Sequence, residues 1–101
     1  MDTLPKWYTP EDPTPREICP CCDYVTLPER GRYIICPICY WEDEGIDVNK
    51  LHKKSSANDG LTLHQARARF RKFGAFDEHW VKYVCSPAER EQFERRPRNV
   101  G

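Results

Sequence analysis

No long apolar run occurs in this chain: no window approaches the roughly 18 apolar residues of a membrane-spanning helix. The N-terminus, Met1-Asp2-Thr3-Leu4-Pro5-Lys6-Trp7, also lacks the apolar core of a secretory leader. Both absences point to a cytoplasmic protein. A charge of one sign is missing as well, since 16 Lys and Arg balance 16 Asp and Glu, whereas nucleic-acid binders usually present a net basic surface. There is no Gly-rich phosphate loop and no Ser/His/Asp arrangement, and His52, His64 and His79 show no ligand spacing with one another. These gaps argue against an enzyme. Hydrophobic residues are only 39% of 101 positions against 32% charged, which makes one domain with a thin core.

What the chain does have is cysteine. Cys19-Pro20-Cys21-Cys22 and Cys36-Pro37-Ile38-Cys39 are Cys-x-x-Cys knuckles separated by thirteen residues. Four thiolates in two close pairs suit a tetrahedral Zn²⁺ with metal–sulfur distances of about 2.3 Å. The proline after each leading cysteine fixes φ and removes a donor, which suits a tight knuckle whose other N–H groups point at sulfur. In a reducing compartment six cysteines bind metal or stay free rather than forming a disulfide framework. A structural zinc supplies roughly 10–16 kcal/mol of apparent binding energy, at least the size of an ordinary domain's net stability. Metal then decides folding. Cys21 has three readings: a replacement for Cys22 as ligand, a reactive thiol, or a spare residue in the turn. Cys85 stands alone and reads as a small buried residue.

The remaining sequence reads as a small α+β domain. Residues 1–17, with Pro5, Pro10, Pro13 and Pro15, form an extended arm interrupted by Trp7-Tyr8, two aromatics that either dock back or anchor a partner. Residues 18–96 are the zinc-ribbon-like domain. Tyr24-Val25-Thr26-Leu27 and Arg32-Tyr33-Ile34-Ile35 flank the turn-forming Pro28-Glu29-Arg30-Gly31 and predict one β-hairpin bridging the knuckles. Trp41 is placed to cover the thiolates. Glu42-Asp43-Glu44-Gly45-Ile46-Asp47 reads as an acidic, solvated loop, and residues 50–60 show no periodicity.

Thr62 and Gln65 form a capping box that opens a helix, with Leu63, Ala66, Phe70 and Phe73 on its apolar face, Arg67, Arg71 and Lys72 off it, and Gly74 ending it. Phe76, Trp80 and Tyr83 or Val84 predict a short second helix with Asp77 as N-cap. Ser86-Pro87-Ala88-Glu89 opens a third, reaching about Arg96 and held by little apolar surface. Residues 97–101 are expected to be disordered.

Several elements in this order resemble the bacterial cysteine-rich CPCC family. They are Cys19-Pro20-Cys21-Cys22, Tyr24-x-Thr26-Leu27, Tyr33-x-Ile35-Cys36-Pro37-Ile38-Cys39-x-Trp41-Glu42-Asp43-x-Gly45, and Asn58-x-Gly60-Leu61-Thr62-Leu63. The last runs on into Ala66-Arg67-x-x-Phe70-x-x-Phe73-Gly74-Ala75. The likeness covers residues 18–76. It implies a small zinc-ribbon-like protein with Cys19, Cys22, Cys36 and Cys39 on the ligand positions, and it suggests immunity proteins that neutralise toxins. The chain departs from the family at Asp23, where glycine is usual; Asp is one of the few other residues that tolerates φ > 0.

Charge is unevenly spread: residues 1–50 hold 5 basic and 10 acidic side chains, residues 51–101 hold 11 and 6. An acidic ribbon end and an aromatic arm suit a protein partner. The leading expectation is therefore a non-catalytic, zinc-stabilised module that binds a protein, with Trp7, Tyr8, Glu42, Asp43 and Glu44 as the partner-binding residues. Two other readings stand beside it: nucleic-acid binding through Arg67, Arg69, Arg71 and Lys72, and thiol redox chemistry through Cys21.

Overall fold

The computed structural model describes residues 16–100, so Trp7, Tyr8 and nearly all of the N-terminal arm lie outside the described residues. The same backbone device folds both knuckles. The Cys19 amide donates to the Tyr24 carbonyl at 2.8 Å and the Cys36 amide to the Trp41 carbonyl at 3.0 Å. Each leading cysteine then accepts from the residue four ahead, Asp23 N at 2.9 Å and Tyr40 N at 2.8 Å. Closing so tight a ring drives the residue after the second cysteine into left-handed backbone, φ +66° at Asp23 and +71° at Tyr40. Asp tolerates this region, whereas Tyr40 holds it at a cost of roughly 1–2 kcal/mol.

Each knuckle sits at the turn of its own antiparallel pair. Strand β1 (Glu17–Ile18) pairs with β2 (Val25–Leu27), and β3 (Ile34–Ile35) with β4 (Glu42–Asp43). The single hairpin expected to bridge the knuckles therefore does not form. Residues 24–27 and 32–35 have strand composition, but composition does not choose a partner; the hydrogen bonds that close each knuckle, Cys19 N to Tyr24 O and Cys36 N to Trp41 O, lead each strand back onto the one before its own knuckle. The other edge of β2 is covered by residues 94–96: Val25 N donates to Glu94 O, Arg96 N to Asp23 O, and Tyr24 pairs with Arg95.

That edge also shortens the last helix. Helix α2 (Pro87–Glu91) starts on the Ser86/Glu89 capping box as expected but stops five residues before Arg96. Phe93 then turns inward to 7% exposure, and the chain beyond it satisfies backbone groups of β2 that would otherwise lack partners. Arg98, in the tail expected to be disordered, donates its backbone N–H to Asp23 Oδ2 at 2.8 Å.

Between these parts, β5 (Lys54–Ser55) pairs with β6 (Leu61–Thr62), a hairpin the aperiodic sequence of residues 50–60 does not announce. It is fastened to β4 by the buried Asn58, whose carboxamide accepts from Glu42 N and donates to Glu42 O, both at 2.8 Å, as a neighbouring strand would. Helix α1 (Leu63–Phe73) follows with the foreseen capping box and with Gly74 at φ +87°. Leu63, Ala66 and Phe70 face the core, joined by Arg67. The short second helix forms at Glu78–Tyr83 as a 3₁₀ helix, with Asp77 at its N-cap position but its side chain paired with Arg69 instead of capping.

The acidic run after Trp41 is not a solvated face. Asp43 is fully buried, gripped at both oxygens by Arg30 at 2.8 and 3.2 Å and by the Gly31 and Gly45 amides. Glu44 accepts from Ser55 Oγ and Ala57 N. Removing one partner of such a pair strands a buried charge, so Arg30→Ala should destabilise the metal-loaded protein by roughly 3 kcal/mol in urea unfolding. Arg32→Ala, which loosens an exposed pair with Glu29 at 3.8 Å, should leave the midpoint unmoved. Equal midpoints for the two variants would refute the assignment.

Candidate metal centre

The two knuckles bring Cys19, Cys22, Cys36 and Cys39 together with all four Sγ atoms within 4.8 Å of one another. Cys19 Sγ lies 3.6 Å from Cys39 Sγ, and Cys22 Sγ 3.7 Å from Cys36 Sγ. A tetrahedron with metal–sulfur distances of about 2.3 Å has sulfur–sulfur edges of about 3.8 Å. All four are buried at 0–2% exposure and none is in a disulfide. The donor set fits a thiophilic divalent cation.

Without a cation the cluster ionises unevenly. Burial pushes the thiols of Cys19, Cys22 and Cys39 up. Burial also opposes ionisation of Cys36, but hydrogen bonds from Cys19, Cys22, Cys39 and Thr26 hold it well below the ordinary thiol range. A divalent ion at the centre of the four sulfurs would offset the burial that opposes their ionisation. The Thr26 hydroxyl, 3.2 Å from Cys36 Sγ, stays as an outer donor to that sulfur.

The knuckles are held from behind by different means. In the second, Pro37 O accepts from Cys85 N at 3.0 Å and Cys39 O from Phe76 N at 2.8 Å, both backbone donors. In the first, Pro20 O accepts from Arg67 Nη1 at 2.7 Å and Cys19 O from Arg98 Nη2 at 3.3 Å. The same arginines grip Asp23, Arg67 through two bonds of 2.9 Å. Burial would raise the Asp23 carboxyl, yet Arg67 and Arg98 hold it below the usual carboxylate range.

Of the other residues singled out in the sequence, Cys21 is buried but stands outside the tetrad. Cys85 is buried as foreseen, its thiol raised to about 11 by burial and then by Glu89. Trp41 lies 1% exposed in the same core as the cysteines, edge-on to Phe76. No histidine joins the tetrad: His52 faces His64, and His79 abuts Trp80. Of the acidic partner-binding set, Asp43 and Glu44 bind internally and Glu42 is half-buried. Arg67, expected off the apolar face of α1, is 4% exposed. Thr26, Arg98, Arg30 and Asn58 escaped sequence reasoning because each acts across ten or more residues, a pairing that no local pattern marks.

Fold and site together define a small α+β domain built around a buried four-cysteine cluster with the geometry of a metal site. The chain belongs to the cysteine-rich CPCC family, whose profile matches residues 17–91. No curated protein and no solved structure matches it.

The geometry separates the adjacent cysteines of the first knuckle. Cys22→Ser should lose stoichiometric metal, since three thiolates leave the shell open and the thin core cannot compensate. Cys21→Ser should keep it, as read by elemental analysis and thiol titration. Equal metal loss in both would reassign the ligand. Thr26→Val, which removes the outer donor to Cys36, should weaken metal affinity about 10–100-fold in a chelator competition.

Proposed function

We propose that this protein is a non-catalytic zinc module that docks onto another protein. Four cysteine thiolates are the donor set of structural zinc, and they fill the coordination shell, leaving no open position for a substrate or an activated water. Six free thiols suit a reducing, cytoplasmic setting.

The observation that carries the docking reading is an aromatic face beside the second knuckle. Tyr40, next to Cys39, stacks on Trp80 with ring centroids 4.9 Å apart, and Tyr83 closes the group at 5.6 Å from Trp80 and 5.9 Å from Tyr40. Tyr83 is 52% and Val81 42% exposed. Tyrosine and tryptophan are the residues that dominate protein-binding hot spots, because they offer large area at small entropic cost. This face takes the place of the acidic run, in which the carboxylates of Asp43, Glu44 and Asp47 are bonded internally. Trp7 and Tyr8 remain candidates for the same task from outside the described residues. Toxin neutralisation is the most specific form of the reading and rests on the family resemblance.

Nucleic-acid binding through α1 is less well supported, since Arg67 is committed to Asp23 and Arg69 to Asp77 at 3.0 Å. A redox role for Cys21 has no observation of its own beyond the buried thiol.

Purified protein should carry one zinc per chain by elemental analysis; stoichiometric iron, or no metal, would defeat the zinc assignment. Once a partner is captured from the source cell, Tyr83→Ala should weaken its binding by about 2 kcal/mol, roughly 30-fold, with metal content intact. Unchanged affinity in Tyr83→Ala and in Val81→Asp would remove this face from the interface. A tight oligonucleotide complex that falls steeply with salt would favour nucleic acid instead.

A further inference from the structure

A cavity of about 370 Å³ opens between the first knuckle, α1 and the C-terminal segment. Among the described residues Arg67, Arg71, Arg95 and Arg98 line it against the one carboxylate of Asp23, which Arg67 and Arg98 grip. Two features make it more than a basic surface. Arg67 is 4% exposed, and its Nε is buried with no hydrogen-bond partner among the described residues, although its other two nitrogens are used on Asp23 and Pro20. Arg95, whose backbone pairs with Tyr24, is exposed and lies with Cζ 5.9 Å over the Tyr24 ring, so its side chain packs on an aromatic face. Phe70 and Val100 add an apolar side to the same cavity.

We propose that this cavity binds a small molecule bearing a phosphate-type oxyanion. A dianion answers the net positive lining better than a single carboxylate does, and planar arginine forks match phosphate oxygens bidentately. The volume, at the lower end of the range of small-molecule sites, leaves room for a short organic part against Phe70 and Val100. Because the wall joins the first knuckle to the C-terminal segment, a bound anion would fasten that segment onto the metal centre.

The test titrates the full, zinc-loaded chain in phosphate-free buffer with inorganic phosphate and, separately, with glycerol 3-phosphate, following backbone amide resonances. Saturable shifts confined to residues 21–23, 67–71 and 95–100 are expected. Arg95→Ala should weaken binding by roughly tenfold or more, with Arg95→Lys intermediate and the remote Arg32→Ala unchanged. Tighter binding of the phosphomonoester identifies an organic phosphate as the ligand, and equal binding identifies phosphate itself. The proposal is overturned by the absence of saturable shifts with both probes, by shifts elsewhere on the surface, or by undiminished affinity in a folded Arg95 variant. An oligonucleotide that binds through Arg95 when neither probe does would overturn it in favour of a nucleic-acid backbone.

Discussion

Four thiols buried within 4.8 Å of one another cannot all ionise beside each other without a cation, and this constraint organises the molecule. Desolvation alone disfavours each thiolate, and every further negative charge raises the cost of the next. A divalent ion reverses both effects and ties two segments of a core that is small for its chain. Positive φ at Asp23 and Tyr40, the two short hairpins and the buried prolines all serve to bring sulfur to one point.

Around that point runs a chain of alternating charges. Arg67 pairs with Asp23, Asp23 with Arg98, Arg98 with Asp47, Asp47 with Arg30, and Arg30 with Asp43, at 2.6 to 3.4 Å. Three guanidiniums and three carboxylates balance, so the series can enter partly buried ground without a net charge to solvate. It starts at α1, passes behind the first knuckle and ends in the β4 strand of the second. The two knuckles are thus joined by ion pairs as well as by sulfur. Asp23 accepts four hydrogen bonds at its carboxylate, as many as Asp43 does.

The C-terminal segment extends this arrangement past the residues matched by the family profile, which end at 91. Phe93 fills the core, residues 94–96 cover the β2 edge, and Arg98 enters the ionic series. The acidic run after Trp41 is drawn in by Arg30 and Ser55, while Tyr83 and Val81 stay exposed beside the second knuckle.

Local chemistry was readable from the chain itself. The Cys-x-x-Cys spacing marked the tetrad, Thr62 with Gln65 and Gly74 marked both ends of α1, and Ser86-Pro87 with Glu89 marked the start of α2. Each of these rests on residues within four positions of one another, where bond geometry leaves little choice. Strand pairing, the length of α2 and the burial of Arg67, Asp43 and Asn58 were decided by tertiary structure. A short apolar run looks the same whichever strand it meets, and a charged side chain reads as solvated until a partner far along the chain arrives to balance it.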